Sequence, residues 1–181
     1  MKICIYYFSK IRQYNVVFCF EVKFLAENGA DIKKPNMNGG TCLINSVQSP
    51  ELCLFLIRKG CDINAVDTQG KTALHYAIQE HRYVINRFRF SNGILKTIIL
   101  YFRLETTKLL LEHGANPYAV SRHGDDALRT ACLKGAHQIF DYLRNNLEYP
   151  IERLAEAHEL IGSLLFSFYS IKFNISHLSY L

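Results

Sequence analysis

Apolar residues fall along this chain in short clusters with helical spacing, and a polar turn carrying glycine closes several of them. Val22, Phe24 and Leu25 precede Asn28-Gly29-Ala30-Asp31. Leu54, Phe55, Leu56 and Ile57 precede Lys59-Gly60-Cys61-Asp62, and Leu109, Leu110 and Leu111 precede His113-Gly114-Ala115-Asn116. Each pattern predicts a helix ended by a glycine in the left-handed conformation, which lets the last carbonyls find donors. Gly29 and Gly60 lie 31 positions apart, Gly60 and Gly114 54. Setting aside an insertion of about 21 residues brings the second interval to about 33, the length of one repeating supersecondary unit.

Start signals divide the units into helix pairs. Thr41, after the turn Asn38-Gly39-Gly40, caps a helix predicted from Cys42 to Val47. Ser49 caps a second, Leu52 to Arg58, with Pro50 at the first helical position, where a missing N–H leaves nothing unpaired. In the next unit Thr72 caps a helix whose Leu74 and Ala77 face the neighbouring unit, and the outer helix is predicted from Leu104 to His113. In the last, Asp126 stands where Thr72 stood, Ala131 and Cys132 lie on the inner helix, and Gln138 to Leu143 form the outer one. A final amphipathic helix is predicted over Ile151 to Leu160, with Leu154, Ala157, His158 and Ile161 on one side. The earliest unit shows only its outer helix, around Val22 to Glu27; its first half is expected upstream, where no residues match it.

Thr72-Ala73-Leu74-His75-Tyr76-Ala77 resembles the ankyrin signature T-P-L-H-x-A, with Ala73 in place of proline. The period and this segment imply an all-α ankyrin-repeat solenoid of about three to four helix-turn-helix units with a C-terminal capping helix. One helix pair cannot bury both of its apolar faces; stacked pairs share a continuous core, and stability becomes roughly a sum over units and their interfaces.

Composition narrows the function. The chain has 181 residues, 49% hydrophobic and 20% charged, so it can bury a core. A net charge of +5 without a tight Lys/Arg cluster gives no reason to expect nucleic acid. The six cysteines make no C-x-x-C pair and no histidine sits at zinc-finger spacing, so no metal site is expected. Cys42, Cys53 and Cys132 fall on helix faces as reduced, apolar-like thiols, which suits a reducing compartment, the cytoplasm or also the nucleus. No signal-peptide h-region and no membrane span is read; Ile94 to Leu111 comes nearest, broken by Lys96, Arg103, Glu105 and Lys108. His75 is read as bonding local backbone, His75 and His81 do not share a helix turn, and Asp126 of the pair Asp125-Asp126 is read as a cap. No nucleophile-elbow, P-loop, zincin or dinucleotide motif occurs. Neither an enzyme nor a cofactor is expected.

Three stretches differ in composition, rich in Phe, Tyr, Ile, Asn and Lys: Met1 to Phe20, Tyr83 to Arg103 and Leu164 to Leu181. The expected organisation is a non-family segment over 1–20, repeats over 21–82, an insertion over 83–103, repeats over 104–146, a capping helix over 147–163 and a non-family tail over 164–181. Arg82-Tyr83-Val84 is encodable with a splice-donor-like sequence and Phe102-Arg103 with an acceptor-like one, so the insertion reads as a translated short intron. The alternative is a genuine loop and helix, with Ile94, Leu95, Ile98, Ile99 and Phe102 extending the outer helix back to about Gly93 and exposing an apolar half.

Val22 to Asp31, Gly40 to Ile44, Lys71 to His75, and Arg153-Leu154-Ala155-Glu156-Ala157-His158-Glu159-Leu160-Ile161-Gly162 resemble, in order, pieces of the Fem (feminisation) ankyrin-repeat proteins. The last resembles the E-A-L-E-L-L-G segment by which that family leaves its array. The resemblance implies a substrate receptor of a Cullin-2 RING ubiquitin ligase, whose array holds the C-terminus of its substrate, often an Arg-containing degron. A later region of such receptors recruits elongins and the cullin; this chain resembles a middle fragment, so those partners are expected only of a full-length relative. Binding is expected at the turn tips and inner helices, on the concave side of a solenoid. The candidate residues are Met37, Asn38, Asp67, Gln69, Tyr76, Glu80, Arg122, His123 and Asp125. Asp67, Glu80 and Asp125 are expected to attract a basic peptide end through charge-assisted hydrogen bonds. The alternatives are a generic ankyrin scaffold docking a folded partner, and an inactive product of an incomplete gene prediction.

Overall fold

Among the described residues helices form in this order: α1 (Val16–Glu27), α2 (Cys42–Asn45), α3 (Pro50–Arg58), α4 (Ala73–Ile78), α5 (Gly93–Glu112), α6 (Ala127–Leu133) and α7 (His137–Asn146). The structure is a computed structural model that describes residues 16–79, 93–157, 159–160 and 162. Residues 151–157 are also helical, and no strand occurs among the described residues. The chain divides into two compact units between Ala127 and Leu128. In the first, α2 packs on α3 and α4, α3 on α1 and α5, and α4 on α5. Inner and outer helices thus alternate, which is the stacking the repeat period predicts.

Local chemistry sets the helix ends. Thr41 Oγ1 accepts from Ile44 N at 3.2 Å, and Ser49 Oγ accepts from Leu52 N at 3.3 Å. The exits share one motif. Gly60 N donates to Ile57 O (2.9 Å) and Cys61 N to Leu56 O (3.1 Å). The same pair of bonds closes α1 at Gly29 and Ala30 and α5 at Gly114 and Ala115. The second bond spans one residue more than the helical ladder, and it needs the φ of +79° found at Gly60. Leu43, Leu52, Leu56, Leu74, Ile78 and Leu110 fill the core of the first unit, all fully buried. In the second unit Leu128, Ala131, Ile139, Phe140 and Leu143 are buried.

Three boundaries differ from the first expectation. α2 stops at Asn45 rather than Val47. Ser46 Oγ donates to Cys42 O at 2.7 Å, and Pro50 forces Ser49 into extended backbone, so a turn must intervene. α1 starts at Val16, six positions before Val22; Phe20 and Phe24 stack on its outer face, 6.4 Å between centroids. The upstream half of that unit would fall in residues outside those described. α5 starts at Gly93, as the loop-and-helix alternative expects, rather than at Leu104, because nothing between Ile94 and Glu112 breaks a helix. Within it, Arg103 Nε donates to Ala77 O at 3.4 Å and its Nη2 donates to Ile78 O. The guanidinium therefore serves the last carbonyls of α4, which a helix leaves unpaired. Arg103, assigned from sequence to the insertion, works in the array; residues 80–92 lie outside the described set. In the last helix Ala157 is buried and Ile151 is exposed, while His158 and Ile161 lie outside the description.

One buried group in α5 is unsatisfied. Thr107 is fully buried and its hydroxyl has no hydrogen-bond partner among the described residues. Burying a hydroxyl that way costs about 1–3 kcal/mol. Thr107→Val keeps the β-branched shape and removes the polar atom, so the variant is expected to be more stable by about 1 kcal/mol. Thermal unfolding followed by circular dichroism checks this: the midpoint should rise by about 2–4 °C.

Candidate functional site

Three turns of the first unit carry one device. At Asn36, Asp67 and Ser121 a side-chain oxygen takes the backbone N–H groups two and four residues on. Asn36 Oδ1 holds Asn38 N (2.9 Å) and Gly40 N (2.8 Å). Asp67 Oδ1 holds Gln69 N (2.8 Å) and Lys71 N (2.9 Å), and Ser121 Oγ holds His123 N (3.2 Å) and Asp125 N (3.3 Å). The backbone closes each turn as well, as in Asn36 N to Gly40 O at 2.9 Å. Neighbouring turns then join: Thr68 N donates to Asn38 O (3.0 Å) and Arg122 N to Gln69 O (2.9 Å). The result is a row of three rigid fingers. Gly39 has a φ of +72°, and a Cβ there would lie 3.0 Å from Asp67 Cα, so only glycine admits the next finger this closely.

His75 ties a helix to this row. Its Nδ1 lies 3.2 Å from Thr72 N, whose N–H it accepts, and its Nε2 donates to Asp125 O at 2.9 Å. The ring is neutral in that arrangement, and burial, the largest influence, pushes its pKa below the ordinary value. This is the local backbone role read from sequence, extended to the following finger.

Between the fingers and the inner helices lies a groove of about 340 Å³. Asn36, Asn38, Gly40, Asp67, Thr68 and Gln69 form the finger wall; Ile44, Asn45, Gln48 and Tyr76 form the helix wall. Of the candidate residues, Asn38, Asp67, Gln69 and Tyr76 meet here. Met37 stands at the first finger tip, 76% exposed, without lining the groove. Arg122 and His123 are exposed and Asp125 is half-buried on the third finger, outside the groove lining. Glu80 lies outside the described residues. Ile44, Asn45 and Gln48 were missed: their only signal is a position at the end of a short helix, one turn from the cap.

Asp67 has a structural role in the finger. Its Oδ1 is taken by two backbone N–H groups, and its Oδ2 accepts the Tyr76 hydroxyl at 2.5 Å. The Tyr76 ring in turn meets Lys71 Nζ, 5.8 Å from its centroid. The carboxylate builds the finger and orients Tyr76.

Burial suppresses the thiolate form of Cys42 and Cys53. Cys42 is pushed up to about 12 by burial, with Cys61 and Asp31 adding to it, and Cys53 is pushed up to about 12 by burial and then by Cys19. The thiolate is the reactive form, so both should resist maleimide in the native chain at neutral pH and react in concentrated guanidinium. Mass spectrometry of tryptic peptides after timed labelling checks this. Among the described residues no His, Cys, Asp or Glu side chains gather as a metal-binding group, and no helix is long and apolar enough to cross a membrane.

The fold has counterparts. A family model for ankyrin repeats in three copies matches residues 18–94, and one for ankyrin repeats in many copies matches residues 95–144. Ankyrin repeat protein L371 of Acanthamoeba polyphaga mimivirus is 32% identical over 98 residues, 47% of this chain and 13% of that protein. Ankyrin repeat protein OPG189 of Variola virus is 26% identical over 158 residues, 82% of this chain and 23% of that protein. Ankyrin repeat and SOCS box protein 6 of Homo sapiens is 28% identical over 142 residues, 68% of this chain and 30% of that protein. The chain thus spans less than a third of the length of these relatives. Among solved structures, the ankyrin repeat domain of Bcl-3, a member of the IkappaB family, aligns at 25% identity and a TM-score of 0.49, covering 68% of this chain and 45% of that one.

Proposed function

The chain belongs to the ankyrin-repeat family, and from that premise we propose that it is a protein-binding scaffold that seats an extended peptide segment in the groove between its fingers and α2 and α4. The groove carries the reading. Its finger wall is held by paired hydrogen bonds at every turn, so it is preorganised, and a site that needs no ordering on binding keeps more of its interaction energy. Its volume of about 340 Å³ suits a short segment of chain. Scaffolding needs no catalytic group, and the reading assigns none.

A second reading has support of its own. The resemblance to the Fem proteins, and the similarity to a protein named for a SOCS box beside its ankyrin repeats, favour the recognition region of a ubiquitin-ligase substrate receptor. That reading assigns the groove to substrate C-termini carrying a degron, with Cullin-2 and elongins recruited by parts of a longer protein. Peptides with free and amidated C-termini, titrated into the full chain by fluorescence polarisation, separate the two. Loss of binding on amidation supports the receptor; equal binding supports the general scaffold. If no peptide binds and the Tyr76 ring signals stay unmoved by NMR, the groove is not a peptide seat.

A further inference from the structure

The groove has a chemical character of its own. Five of its lining side chains are carboxamides: Asn36, Asn38, Asn45, Gln48 and Gln69. Asn36 spends its oxygen on the finger, and its Nδ2 makes no hydrogen bond among the described residues. Asn45 Nδ2 donates to Thr41 O at 3.0 Å, leaving its oxygen as an acceptor. The side-chain amides of Asn38, Gln48 and Gln69 are uncommitted among the described residues. Each such amide offers both a donor and an acceptor, the same pair that a peptide group presents.

Formal charge is scarce. Among the described residues Asp67 is the one charged residue lining it, and both of its oxygens are engaged by Gln69 N, Lys71 N and the Tyr76 hydroxyl. Lys71 sits on the same finger with its ammonium against the Tyr76 ring, so the two charges offset each other beside the groove. A guanidinium entering here finds neutral acceptors and a carboxylate already shared among three donors, and a chain-end carboxylate finds neutral donors. Moving either ion from water costs more than neutral partners return. An extended stretch of uncharged polypeptide has no such penalty, and its N–H and C=O groups alternate along the strand to meet amides of either polarity.

We propose that the groove selects an uncharged, extended internal segment, read through carboxamide–peptide hydrogen bonds, and discriminates against a charged chain end or an arginine. This rests on the peptide seat proposed above and names the class of its occupant. The test uses the full chain and short peptides of Asn, Gln, Ser, Thr and Gly. Each is made with both ends blocked, with a free C-terminal carboxylate, and with one central arginine, and titrated by fluorescence polarisation. Blocked neutral peptides should bind at least threefold tighter than either charged set. Gln48→Glu, on an accessible turn, should reverse the order for the arginine peptides by about tenfold, because a new carboxylate supplies the charge-assisted partner now missing. Tighter binding of free-carboxylate or arginine peptides to the unaltered chain overturns the inference and leaves the peptide seat standing. Absence of binding by every peptide overturns both.

Discussion

Leu74→Ala is expected to lower the stability of the first compact unit by about 2–5 kcal/mol. Leu74 is wholly buried on α4, a helix that packs against α2 on one side and α5 on the other. Truncation removes several buried methyl and methylene groups and leaves a cavity. The loss of transfer energy and the cavity term add. The architecture raises the cost further. In a stack each unit touches only its neighbours, so no distant element can close the gap that opens between α2 and α5. Ala73 and Ala77 beside it are already small, which leaves little side-chain bulk to relax inward. Val66→Ala, at a position 53% exposed, is the control and should change stability by less than about 0.5 kcal/mol. Urea unfolding followed by circular dichroism reads both. A Leu74→Ala loss no larger than that of the control would mean that α4 is not part of a stacked core.

The repeat was legible because its determinants are local. Thr41, Ser49 and Thr72 stand where their helices begin, and Gly29, Gly60 and Gly114 where helices end, since caps and left-handed glycines act within one turn. The start of α5 follows the alternative of a helix reaching back to about Gly93, not the start at Leu104, because composition, which set Tyr83 to Arg103 apart, is not a physical term in helix formation. Ile94 to Arg103 lack a breaker, and Arg103 meets the carbonyls of α4, a contact across 25 residues that no window reveals. The groove was half legible. Turn tips are visible as Asn-Gly and Gln-Gly punctuation, but the partner of an aspartate is not. Asp67 is visible as a turn-tip carboxylate; Tyr76, nine positions away, reaches it only once α4 folds back on the finger. Asn45 and Gln48 belong to a helix of four residues and the turn after it, too short for periodicity to say which side faces the fingers.

The His75 ring makes stability depend on pH, and its removal should be nearly as costly as the loss of Leu74. Nδ1 accepts from Thr72 N–H at the start of α4 and lies 2.9 Å from Thr72 Oγ1, while Nε2–H reaches Asp125 O on the third finger, all at a site with 1% exposure. Alanine leaves the buried Thr72 N–H without its acceptor, while the half-buried Asp125 C=O keeps its bond from Ser121 N at 2.9 Å. The orphaned N–H costs about 1–3 kcal/mol and the cavity left by the ring adds to it, so His75→Ala should destabilise the unit by about 2–4 kcal/mol. Protonation attacks the same site, because a proton on Nδ1 faces the Thr72 N–H it had accepted. The folded pKa lies below 6.5, with burial as the main cause and Lys71 acting the same way; the bond to Asp125 O and the charges of Asp126 and Asp125 oppose it. A native pKa lowered relative to the unfolded chain means the unfolded state binds the proton more readily. The contribution is therefore fully present above about pH 6.5 and is lost as pH falls from there through the lowered native value. The unfolding midpoint of the native chain should fall over that window. His75→Ala should start lower and lose this part of the slope, so the two curves converge on acidification. Parallel curves would place the pH sensitivity elsewhere and leave His75 a spacer between helix and finger.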